Sequence, residues 1–240
     1  MTCHPRRLSK GLPVLCLMVV AAWLGGTMPL PAKDLLYLAP NQVDLMALLP
    51  PPPAETSATE VEELAELHRI EASRSKDDEA RAVADDAEEN VFLYRSVLGN
   101  DFTAEKLPVT AALFDQVRND TGVVSKSAKQ AWHRRRPLQV DPRLHPVGKG
   151  TSESYPSGHS TLGFADGVIL ASLIPEKRDE ILSRAADYAH NRLICGVHFR
   201  SDTVAGQVAG TVIAEALLRS PQFQEKLAAA REELRQAKLV

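Results

Sequence analysis

Apolar residues recur at helical spacing over most of the chain from Thr59 onward. Val61, Leu64, Leu67 and Ile70 fall three apart with acidic residues between them, which marks one face of an amphipathic helix. Ala80, Ala84, Ala87, Val91, Tyr94 and Leu98 carry a similar period over 77–98. Leu113, Phe114 and Val117 mark a third helix, expected to end near Thr121–Gly122. Ser125 or Ser127 is a candidate cap for a further helix carrying Lys129. Arg136–Pro137 is its expected end, because a residue before proline is pushed out of the α region. Residues 138–155, with Pro142, Pro146, Gly148 and Gly150, read as a loop. Helices then follow over Ser157–Ile174, closed by Pro175, over Glu176 to about Val197, over Ser201–Leu218 and over about 221–238. No stretch alternates with a strand's period, and no repeat is found. The pattern predicts an all-α, single-domain helical bundle.

Upstream of Thr59 the pattern changes twice. Arg6, Arg7 and Lys10 precede an apolar run from Leu12 to Leu24, too short and poorly flanked for a membrane span. Pro29-Leu30-Pro31-Ala32 follows, and the whole reads as a secretory signal peptide over 1–32, cut after Ala32. Cys16 follows Leu15 inside the apolar run, which does not suit a lipoprotein cleavage site. Residues 33–58 contain Pro40 and the run Pro50–Pro53 behind Leu48–Leu49, and so predict an extended segment over the surface with its leucines in grooves. The remaining 59–240 form the expected helical domain.

Charge narrows the partners. The chain has 28 Lys and Arg against 31 Asp and Glu. The leader holds three of the positive residues and none of the negative, so the mature chain carries 25 against 31, a net charge of −6. Such a chain has no general affinity for nucleic-acid polymers or anionic membranes, so any anion site must be a local basic cluster. No membrane attachment is expected after leader cleavage. Cys3 and Cys16 leave with the leader, and Cys195 remains alone in an apolar run as a candidate core residue. An exported chain without an internal disulfide suits a bacterial periplasm.

Three short blocks carry the candidate chemistry. Lys129 and Arg136 are seven residues apart, close to two helical turns, so a helix running through both would place them on one face. Alone, this block also suits a solvated helix end. Ser157-Gly158-His159 follows Pro156 at the start of an apolar helix, where free backbone N–H groups cradle anions and glycine permits close approach. His198 and Asp202 are four apart; on one helix the carboxylate would accept from the imidazole and leave the other ring nitrogen as a nucleophile. Arg192 precedes them by six residues. Together the blocks supply arginine forks for phosphate oxygens, histidines for attack and proton transfer, and a carboxylate to orient one of them.

On these blocks the chain resembles the bacterial class A non-specific acid phosphatases, within the type-2 phosphatidic acid phosphatase and vanadium haloperoxidase superfamily. Lys129 with Arg136–Pro137, then Pro156-Ser157-Gly158-His159, then Arg192, His198 and Asp202 match the superfamily's three-part pattern. Tyr37-Leu38-Ala39-Pro40, the proline run, Ser127-Ala128-Lys129-Gln130 and Ile194-Cys195-Gly196 resemble class A sequence over nearly the whole mature chain. The resemblance implies a helical bundle of that superfamily and a periplasmic enzyme hydrolysing small phosphomonoesters with broad specificity. It implies no metal and no cofactor, phosphotransferase side activity, and the identical-subunit assembly common among related enzymes. His198 would attack phosphorus, Asp202 hold His198, and His159 serve the leaving group. Lys129, Arg136, Arg192, Ser157 and the amides of Gly158 and His159 would bind the phosphate. A vanadate-dependent haloperoxidase and a non-catalytic phosphate-binding protein remain alternatives. Asn191 in place of serine, Glu153 in place of glycine and Ser160 in place of threonine depart from the pattern, and Glu153 near the pocket mouth is expected to disfavour anionic substrates or narrow their range.

Overall fold

Local sequence signals set where the helices begin. In a computed structural model that describes residues 1–2 and 34–240, Asp44 caps a short α1, Leu45–Leu48, by accepting from the Met46 and Ala47 amides. Ser57 caps α2, Ala58–Ser73, and a Ser75–Asp78 capping box opens α3, Lys76–Ala87. A four-residue α4, Arg95–Leu98, follows a 3₁₀ turn over Val91–Tyr94. Pro108 stands at the first turn of the long α5, Pro108–Trp132, where its missing N–H has no cost. Then come α6, Pro137–Val140, and α7, Gly158–Leu173. They are followed by α8, Arg178–Ile194, α9, Arg200–Leu218, and α10, Pro221–Gln236. The leader expected at 1–32 lies, but for Met1 and Thr2, outside the described residues.

α7 is apolar almost all round, which is the signature of a helix buried on every side. It lies at the centre, packed by α5, α8 and α9, with α10 against α5 and α9 and with α2 and α3 against α8. No strand occurs among the described residues, and the element order is all helical. Ile169, Leu170, Ala185, Tyr188, Ala209, Ile213 and Leu217 are fully buried in the main core. Burying side chains of this size stabilises by about 1.5–3 kcal/mol each. Cys195 is buried beside Ala82, Ile194 and Val197, as the sequence predicts.

Three boundaries differ from the pattern read along the chain. α5 does not end at Thr121–Gly122 but runs through it, because packing of its buried face outweighs one glycine's cost of about 1 kcal/mol. The stretch 77–98 is not one helix: α3 stops at Ala87, and Asn90 caps the 3₁₀ turn that follows. The stretch 138–155 is mostly loop but begins within α6. The leading segment is extended except at α1. Leu38, Leu45 and Leu49 are buried in the main core while Leu36 and Leu48 are exposed. Asp120, fully buried on α5, ties this segment down by accepting from the backbone N–H groups of Leu36, Tyr37 and Leu38.

Candidate active site

Arg192 lies in the last turn of α8 and is buried. The chain then turns at Gly196, whose φ of 73° favours glycine. His198 lies before α9 begins, because Phe199 is extended. The expected helical pairing of His198 with Asp202 is therefore corrected: the two meet across the start of α9. Asp202 Oδ2 accepts the Phe199 N–H at 2.9 Å and lies 3.2 Å from His198 Nδ1. Ser154 Oγ donates to the same oxygen, and Arg134 donates to Oδ1 at 2.6 Å.

The first block is corrected in the same way. α5 ends at Trp132, and His133 adopts the left-handed conformation at φ 48°. Lys129 and Arg136 share no helical face; a turn brings them together. Beyond it the three arginines diverge. Arg134 turns inward to Asp202 and to Glu63 at 2.9 Å, stacked 4.1 Å over the Phe199 ring. Arg135 turns outward to Glu55. Arg136 enters the site, donating from Nε to the Ser152 carbonyl and from Nη1 to the Val197 carbonyl, each at 2.8 Å. Arg136 Nη1 is also 2.8 Å from His198 Nε2. A guanidinium can only donate, so Nε2 carries the lone pair and Nδ1 the proton. Burial, then the charges of Arg136, Arg192 and Lys129, push the His198 pKa well below its ordinary value and keep the imidazole neutral. Lys129 donates to the Glu153 carbonyl. Burial first, then Arg136, lowers the Lys129 pKa to about 8.

At the second block Ser157 caps α7, and its hydroxyl is engaged with the Ser160 amide and hydroxyl. Gly158 faces open space, with no atom within 4 Å of where a Cβ would lie. His159 Nε2 is 3.2 Å from the Asp86 carbonyl and 3.4 Å from Glu89 Oε1. Burial, then Arg192, lowers its pKa to about 4, while Glu89 pushes it back upward. Arg192 is paired through Nη1 to the Asp86 carboxylate, and its buried Nε has no partner.

These elements enclose a cavity of about 510 Å³. Lys129, Arg136, Gly158, His159, Arg192 and His198 line it. Asp202 stands behind His198, fully buried. Ser157 is not among the residues lining the cavity; its hydroxyl oxygen accepts from the Ser160 amide and hydroxyl. The departures acquire local roles. Asn191 donates to Asp85, and Glu153 directs its carboxylate towards His133 Nδ1 at 3.6 Å. Arg134, Ser154, Glu63, Asp86 and Glu89 were not singled out by sequence. Ser154 carries no signal, the other four carry only charge, and nothing in their spacing marks which of them turn inward. Among the described residues no helix is long and apolar enough to cross a membrane, and no group of three or more His, Cys, Asp or Glu could hold a metal ion.

Known proteins resemble this chain in sequence and in fold. A model of the PAP2 superfamily matches residues 112–226. A non-specific acid phosphatase of Providencia stuartii is 30% identical over 220 residues, covering 85% of this chain and 87% of the relative. A non-specific acid phosphatase of Salmonella typhimurium is 32% identical over 158 residues, 63% of each chain. Among solved structures, a bacterial vanadium-dependent iodoperoxidase superposes with a TM-score of 0.58 at 18% identity, over 72% of this chain and 52% of that one. A transmembrane PAP2-type phosphatidylglycerolphosphate phosphatase from Bacillus subtilis gives 0.51 at 18% identity, over 76% and 91%. These two likenesses concern the fold.

Proposed function

Since the chain belongs to the PAP2 superfamily and is a phosphatase of the acid phosphatase kind, we propose that it is an exported, metal-independent phosphomonoesterase of broad specificity working through a phosphohistidine. The observation that carries this reading is the His198 tautomer. Its Nε2 lone pair faces a cavity lined by Lys129, Arg136 and Arg192, while Asp202 accepts from Nδ1–H.

A bound phosphate draws Arg136 from Nε2 onto its own oxygens, which frees the lone pair. His198 Nε2 then attacks phosphorus as the bond to the leaving alcohol breaks, and His159 gives its proton to the departing oxygen. In the second step His159 takes a proton from water, the water oxygen attacks phosphorus, and the P–N bond breaks. Lys129, Arg136, Arg192 and the amides at the start of α7 hold the equatorial oxygens, the positioning and charge stabilisation on which phosphoryl transfer mainly depends. His159, whose pKa is lowered to about 4 by burial and by Arg192, gains its proton as the phosphate dianion binds beside it.

Hydrolysis of p-nitrophenyl phosphate from about pH 4 to pH 9 with excess EDTA tests the reading. Activity is expected to resist EDTA, and His198→Ala to lower kcat by about 10⁴-fold or more. Acid quenching of the unmodified enzyme is expected to trap phosphate on His198. EDTA-sensitive turnover, or label on another residue, would overturn the proposal.

A further inference from the structure

The cavity extends well beyond the residues that meet the scissile phosphate. Its volume of about 510 Å³ falls within the roughly 300–1,000 Å³ that holds a whole small-molecule ligand. One face of α5 forms its long wall, from Lys129 back through Lys126, Ser125, Gly122 and Thr121 to Arg118. At 1.5 Å per residue those eleven steps advance about 16 Å, several times the span of one phosphate group. The inner end holds Lys129, Arg136 and Arg192. Beyond this cradle lie Lys126, one helical turn from Lys129, and Lys149, on the loop facing α5, whose backbone N–H donates to Asp86; Arg118 marks the far end.

The outer cations are not all neutralised. Arg118 pairs with Glu89 at 2.9 Å. Glu153, the other acid lining the cavity, directs its carboxylate to His133. Lys126 and Lys149 have no carboxylate partner among the described residues. Ser125 lies between the two ends, and its buried hydroxyl has no partner in the fold, an unmet polar group that a bound substrate would satisfy. In a chain whose overall charge is negative, two unpaired ammonium groups from different elements along one concave wall raise the local concentration of anions.

We propose that the outer groove is a second anion subsite, and that the preferred substrates are phosphomonoesters whose alcohol carries a second phosphate. The proposal rests on reading the inner end as the phosphate cradle. Lys126 and Lys149 meet the second phosphate, Arg118 adds to the field, and Glu153 is held away by His133.

Titration calorimetry on the His198→Ala protein, which cannot turn over, tests this with fructose 1,6-bisphosphate against fructose 6-phosphate. The bisphosphate is expected to bind about tenfold tighter, a difference of about 1.4 kcal/mol. Adding K126Q and K149Q is expected to bring the ratio of the two affinities to within about twofold. The same ratio, read as inhibition constants against p-nitrophenyl phosphate with the unmodified chain, serves if His198→Ala folds poorly. Equal binding of the two sugars, or a preference that survives both lysine substitutions, would overturn the subsite. Failure of the unmodified chain to hydrolyse any phosphoester would instead end the hydrolase reading, while the titration still decides the subsite.

Discussion

The two walls of the active site are built on opposite principles. The wall that carries His159, His198 and Asp202 is made where α7 meets α9, and there the helices touch backbone to backbone. A Cβ at Gly210 would lie 2.3 Å from the Thr161 carbonyl oxygen, and one at Gly206 would lie 2.6 Å from that of Ser157. Behind it, Asp202 accepts from Arg134, Ser154 and Phe199 and meets His198 with no exposure to solvent. The wall formed by α5 is open. Gly122, also within a helix, has nothing within 4 Å of its missing Cβ. Close packing holds His159, His198 and Asp202 in place, as the proposed displacement at phosphorus demands. Beyond Lys129 at its inner end, the open wall is free to suit the rest of the substrate.

The sharpest break in that contrast is Arg134→Leu. It leaves Asp202 and Glu63 buried without their shared cation, which is expected to cost about 3–5 kcal/mol. Denaturant unfolding measures this, and activity is expected to fall with it because Asp202 loses its anchor. A loss below about 1 kcal/mol would mean that the network is looser than its distances imply. Gly210→Ala comes next. Overpacking against backbone is expected to cost about 3 kcal/mol, seen as a fall in Tm of roughly 6–12 °C. Gly122→Ala is the matched control on the open wall. It is expected to stabilise by about 0.5–1 kcal/mol through helix propensity alone, so the two glycine substitutions should move Tm in opposite directions.

The smallest expected effect is electrostatic. Glu89 raises the His159 pKa from across the cavity. The proton-donating form of His159 is lost as pH rises, so the alkaline limb of kcat/KM in the free enzyme reports it. Removing the carboxylate by Glu89→Gln lowers the pKa further and moves that limb to lower pH by about 0.5 unit, a modest shift because Glu89 is half exposed. Bound phosphate dianion raises the same pKa, so the limb in kcat is expected at higher pH than the limb in kcat/KM. A limb unmoved by Glu89→Gln would separate Glu89 from the proton donor.

The helices were legible where packing and local signals agree. Ser57, Ser75 and Ser157 cap helices close to where the apolar period begins. The pattern failed at Gly122, where a local breaking signal was overridden by the buried face of α5, and at Glu88–Asn90, where a continuing period was interrupted by Asn90 capping the next turn. Within the site, the residue types of the three blocks were readable because their chemistry is specific. The means of bringing them together was not. Helical spacing explains neither Lys129 with Arg136 nor His198 with Asp202, since a left-handed His133 and an extended Phe199 intervene.

By itself the sequence determined that the chain is helical, that its reactive groups fall in three blocks, and that these blocks suit phosphate. Helical periodicity and side-chain chemistry are properties of residues a few positions apart, so they can be read along the chain. Only the tertiary structure decided which of three consecutive arginines reaches Asp202 and which nitrogen of His198 faces the cavity. Those choices depend on partners such as Glu63, 71 residues from Arg134, and Ser154, 48 residues from Asp202. A buried charge takes the orientation that satisfies it, and the groups that satisfy it here come from helices and loops that meet only when the bundle closes.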